Sequence, residues 1–93
     1  MRQPMRMDDI EIRRRKLRFR AWHRGMREMD LLFGRFADAH IATLPVSELD
    51  QLETLMDQPD QEVFSWLTGE SATPADLATP LMARLREFRP KPQ

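Results

Sequence analysis

The stretch Met26-Arg27-Glu28-Met29-Asp30-Leu31-Leu32-Phe33-Gly34-Arg35-Phe36-Ala37-Asp38-Ala39-His40-Ile41 decides the fold. Within it Met29, Leu32, Phe33, Phe36, Ala37 and Ile41 recur at i, i+3, i+4, i+7, i+8 and i+12, the stripe that one face of an α-helix presents. The spacing predicts a helix over 26–41 and puts it at the centre of the core. Gly34 lies inside that helix, where glycine costs about 1 kcal/mol relative to alanine. Close approach of a neighbouring helix is the expected compensation.

On the N-terminal side, a first helix is predicted from Asp8 to Arg24, with Asp8 or Asp9 as N-cap. Ile10, Leu17 and Ala21 share one face, widened by Phe19 and Trp22, and the cluster Arg13-Arg14-Arg15-Lys16 points mostly elsewhere. Gly25 ends it, because glycine enters the left-handed conformation of a helix terminus without a Cβ clash.

On the C-terminal side, Leu44-Pro45-Val46-Ser47 breaks the pattern. Ser47 and Asp50 resemble a capping box for a third helix that carries Leu49, Leu52, Leu55 and Met56 to about Asp57. Pro59 fits the first turn of a short fourth helix, with Val63, Phe64, Trp66 and Leu67 and a stop near Gly69. Leu77, Leu81, Leu85 and Phe88 line a last segment in which Pro80 leaves two readings. Either Thr79 caps a fresh helix with Pro80 at its first position, or one longer helix kinks there. Strand signals are nearly absent. The expectation is an all-α, compact single-domain bundle of about five short helices over residues 1–93, with frayed tails at 1–7 and 89–93.

Bulk composition agrees. A chain of 93 residues with 41% hydrophobic and 32% charged residues buries one thin core. Having no cysteine, it forms no disulfide and no thiolate metal site, which suits a reducing compartment. Its uncharged apolar runs are far too short for direct membrane insertion. The start is basic but lacks an apolar run, so no presequence is expected and a cytoplasmic location follows.

Net charge is zero but unevenly spread: residues 1–40 carry +5, residues 41–70 carry −7 and the remainder +2. Two uses are open, attraction between the faces within the fold or choice of a partner.

No catalytic constellation emerges. His23 and His40 are seventeen residues apart, with no second ligand at metal spacing and no positioned nucleophile. Three glycines make no phosphate loop or dinucleotide fingerprint. The chain is not expected to be an enzyme, nor to bind a metal or cofactor of its own. A basic-faced helical nucleic-acid-binding protein is the alternative, since Arg13, Arg14, Arg15, Lys16, Arg18, Arg20, Arg24 and Arg27 crowd one region. The neutral whole and the mixed charge of the second helix speak against it.

The junction Arg24-Gly25-Met26-Arg27-Glu28 supports two readings. Arg24 suits the negative end of the first helix, Glu28 and Asp30 the positive end of the second, and Gly25 the turn. Alternatively, a glycine corner has no side chain to hold a partner away, and Arg24 is free to bond a partner carboxylate or carbonyl.

This segment resembles the RGxxE segment of the SdhE family of succinate dehydrogenase assembly factors, almost residue for residue through Leu32. Leu55-Met56-Asp57-Gln58-Pro59-Asp60 and Phe64-Ser65-Trp66-Leu67-Thr68-Gly69 are similar to two further family segments, with Ser65 replacing an asparagine. The likeness covers about residues 10 to 88 and implies a small five-helix protein. It implies a chaperone-like factor that binds the flavoprotein subunit of succinate dehydrogenase, in some members that of fumarate reductase; separately, a monomer is expected. The factor promotes covalent FAD attachment there; FAD belongs to the partner. Carried over as partner-binding residues are Arg24, Gly25 and Glu28, with Met26, Arg27, Asp30 and Trp66 beside them.

Overall fold

The computed structural model describes residues 7–89. Among these, five α-helices form the fold: α1 (Met7–Trp22), α2 (Arg27–His40), α3 (Val46–Met56), α4 (Asp60–Thr68) and α5 (Pro80–Phe88). A single 3₁₀ turn, Ala75–Leu77, precedes α5. Met7 is the first residue of α1, and residues 1–6 and 90–93, on which most of the two expected frayed tails fall, lie outside the described residues.

The α2 stripe is the centre of the core. Met29, Phe33, Phe36 and Ala37 are fully buried, and Leu17 and Ala21 of α1, Leu49 and Leu52 of α3, Val63 of α4 and Leu81 and Leu85 of α5 close around them. At Gly34 the indole of Trp22 lies so close that an added Cβ would stand 2.2 to 2.5 Å from three of its ring atoms. The close approach expected at this glycine is therefore made by the last residue of α1. Alanine here gains about 1 kcal/mol of helix propensity, but forcing the ring away costs about 1–3 kcal/mol. Gly34→Ala is expected to lower the thermal midpoint; a midpoint at or above that of the parent would contradict this packing.

Prolines set the helix starts more strictly than the capping residues do. Pro45 (φ −66°, ψ 160°) and Pro59 (φ −59°, ψ 138°) each stand just before a helix, with no side-chain cap. Ser47 is therefore inside α3 rather than its N-cap, and Pro59 precedes α4 instead of occupying its first turn. A ring that fixes φ near −65° and removes the N–H suits the boundary residue, and ψ stays extended. Asp8 and Asp9 likewise lie within α1. Of the two readings at Pro80, the fresh helix is the one observed: the Thr79 hydroxyl accepts from Met82 N at 3.2 Å, with Pro80 at the first position. Gly69 ends α4 in the left-handed conformation (φ 83°).

The uneven charge is consumed between α1 and α3. Arg13 Nη2 lies 2.6 Å from Asp50 Oδ1 and 2.9 Å from Glu53 Oε1. Arg20 reaches Glu53 at 3.7 Å and Asp57 at 2.7 Å. Partners rise in number together, so the two helices run side by side in the same direction, where their like-oriented dipoles gain nothing from each other. The ladder of opposite charges offsets that arrangement. Burial alone would lower the Arg13 pKa, but hydrogen bonds to Asp50 and Glu53 outweigh it and hold the guanidinium above its usual range. Between the two uses open for the charge pattern, the intramolecular one is realised.

Candidate functional site

Three arginines act alike, each capping the end of another helix. The last carbonyls of a helix have no intrahelical partner and carry its negative dipole end. Arg14 donates to the carbonyls of Ile41 and Leu44 after α2. Arg86 donates to Trp66 O near the end of α4 at 3.1 Å. Arg24 donates to Met56 O and, at 3.2 Å, to Gln58 O at the end of α3.

Arg24 does more. Its Nη2 lies 2.6 Å from Asp60 Oδ1 in the first turn of α4, and its guanidinium sits 5.6 Å from the centroid of the Phe33 ring. The side chain is 9% exposed. It therefore staples the α1–α2 corner to the α3–α4 corner and is not free to reach a partner, as one sequence reading required. The dipole reading had the right chemistry but the wrong helix, since Arg24 serves α3 rather than α1.

The backbone of the corner is set by Asp30. Its Oδ1 accepts from the amides of both Arg24 and Gly25, the latter at 3.1 Å. Gly25 has φ +98°, a conformation costly for any side chain, and an added Cβ would meet no atom within 4 Å. The glycine is thus required by its backbone angle, while the space in front of it is open. Gly25, Arg27 and Glu28 are exposed and Met26 and Asp30 half-buried. Trp66 is 7% exposed and belongs to the core. This burial removes it from the outward set.

Beside the corner, α2 continues outward as Glu28, Leu31 and Arg35 at i, i+3 and i+7. With Phe64 of α4 and Phe88 at the end of α5 they line a groove of about 450 Å³. Motif and periodicity alone do not single out this groove. One signal does point to it: Leu31 falls off the buried stripe of α2, so a large apolar residue is left without a core position.

The basic cluster offers little to nucleic acid. Arg13, Arg14, Arg18, Arg20 and Arg24 are all engaged within the molecule, Arg18 by Asp38 at 2.6 Å. Asp38 accepts from Trp22 Nε1 and from Arg18, and these bonds, the tryptophan's first, hold its carboxyl below the usual 3.8 against an opposing effect of desolvation. The His23 ring stacks on Phe19 at 4.1 Å between centroids, and that of His40 lies 5.0 Å from Phe36. No helix among the described residues is long and apolar enough to cross a membrane.

The result is a helical scaffold with an exposed corner whose backbone and flanking side chains are held from within. The family model described as "Flavinator of succinate dehydrogenase" matches residues 15–89, and the chain belongs to that family. It is 41% identical over 80 residues to the FAD assembly factor SdhE of Acetobacter pasteurianus, covering 86% of this chain and 73% of the relative. It is 36% identical over 76 residues to a mitochondrial succinate dehydrogenase assembly factor 2 of Dictyostelium discoideum, covering 82% and 54%. A protein of the same description from Yarrowia lipolytica is 31% identical over 89 residues, covering 91% and 61%. The chain thus spans between half and two thirds of the length of these two mitochondrial relatives.

Proposed function

We propose that this protein is an assembly factor that binds the flavoprotein subunit of succinate dehydrogenase and promotes covalent attachment of FAD to it. It does so as a monomer in the cytoplasm, without a catalytic site or cofactor of its own. The observation that carries the reading is the family match over residues 15–89. The corner agrees with it: Gly25, Arg27 and Glu28 face outward on a turn that Arg24 and Asp30 hold rigid from within.

A rigid surface of this kind acts by favouring one arrangement of its client. The flavinylation-competent conformation of the subunit becomes more populated when the factor binds it more tightly than the others. The bond to FAD is then made by the client's own groups. Glu28 is the exposed carboxylate of the corner and is assigned to a basic or amide group of the client.

The test is reconstitution of purified apo-subunit with FAD, with and without the protein, read by in-gel flavin fluorescence. Covalent flavin should rise with the factor, and Glu28→Ala should lower the gain about fivefold or more, the loss of one charge-assisted contact. No dependence on the factor would overturn the function. Equal stimulation by Glu28→Ala would overturn the role of that residue. Running the fumarate reductase flavoprotein in parallel shows whether it is also a client.

A further inference from the structure

The groove beside the corner has its own chemistry. Its floor is apolar: Leu31, Leu32, Phe64 and Phe88, with Phe64 and Phe88 half-buried against the core. Its rim is charged: Glu28 on the corner side, and Arg35 and Arg89. Among the described residues neither arginine has a carboxylate partner, whereas Arg13, Arg18, Arg20, Arg24 and Arg84 each do. An apolar floor with two free guanidinium groups accepts a bulky apolar side chain that has a carboxylate next to it. A volume of about 450 Å³ lies within the range of sites that enclose ligand groups.

We propose that this groove is a second contact for the same client, taking a bulky apolar side chain flanked by an Asp or Glu on the surface of the flavoprotein subunit. The proposal rests on the function given above. It commits to the client, rather than to a second copy of this chain, because Glu28 belongs to both the outward corner and the groove. Whatever covers Gly25 and bonds Glu28 has its next surface over Leu31. Groove and corner together form one continuous face along α2. The apolar insertion supplies affinity and the arginines fix its register, the usual division between a buried anchor and a polar rim.

The experiment is calorimetric titration of purified apo-subunit of succinate dehydrogenase with the parent protein, Leu31→Asp, Arg35→Glu and Gly25→Arg, each variant first checked for helicity. Leu31→Asp should weaken binding about tenfold or more, as loss of an anchor does. It should also make the heat-capacity change of binding less negative, because less apolar surface is buried. Arg35→Glu should weaken binding about fivefold at low salt and less at high salt. If the parent binds and Gly25→Arg weakens it while Leu31→Asp and Arg35→Glu bind within twofold of the parent, the groove is not a contact and the assembly function stands. If the parent does not bind, both fall. A parent that sediments as a dimer and a Leu31→Asp that sediments as a monomer would assign the groove to a second copy and overturn the proposal.

Discussion

Arg24→Ala is expected to lower the thermal midpoint by about 15 °C. The substitution strands the Asp60 carboxylate and the carbonyls of Met56 and Gln58, which now accept from a side chain only 9% exposed. Removing one member of a buried, hydrogen-bonded charge pair costs about 3 kcal/mol, and each kcal/mol moves the midpoint of a domain this small by about 4–8 °C. Arg24→Lys should recover only part of the loss, since an ammonium group lacks the planar fork that serves an aspartate and two carbonyls together. Flavinylation should fall with the folded fraction and return when the assay is run well below the new midpoint. An unchanged midpoint with flavinylation abolished would instead make Arg24 a contact with the client.

Its neighbour should behave in the opposite way. Gly25→Arg meets no steric obstacle within the molecule, and its backbone strain at φ +98° costs about 1–2 kcal/mol. The variant should remain helical at room temperature with its midpoint lowered by about 5–10 °C. Covalent flavin in the client should nevertheless drop to the level seen without the factor, because a long cation now stands where the client is proposed to lie. Gly25→Ala separates the two effects: it carries the same strain with almost no bulk, and should keep most of the stimulation. A Gly25→Arg protein that is unfolded by circular dichroism, or one that stimulates normally, would place the importance of this glycine in the turn alone.

On these two predictions adjacent residues of one motif-like run divide the labour, a division that the sequence could not reveal. Residue types at 24, 25, 28 and 30 are explained equally well by capping and by docking. What separates the two is which way the Arg24 side chain turns, and that depends on carbonyls more than thirty residues away at the end of α3. The core was far more legible. The α2 stripe and the leucines of α3 and α5 obey a period that burial enforces. Gly34 announced a close approach, although nothing local identified Trp22 as the neighbour. Helix starts near Ser47 and Pro59 lie one or two residues from where capping rules put them, because a boundary proline and a side-chain cap compete for the same role. Trp66, apolar by its place in the fourth helix but carried over by the resemblance as a partner-binding residue, is a core residue; α4 is too short for periodicity to have decided between the two.

The α1–α3 ladder has a property that its individual bonds do not. Arg13 holds Asp50 and Glu53, and Arg20 holds Glu53 and Asp57, so Glu53 is shared. Deleting any one of these carboxylates leaves both arginines with another. Such a network is fault-tolerant: single substitutions along it can accumulate with little loss, and the carboxylates are free to drift. Among the described residues the Arg24 side chain has a single carboxylate, that of Asp60. The redundancy therefore ends one step before the corner, and the brittle joint of the scaffold is the one that carries the proposed docking face.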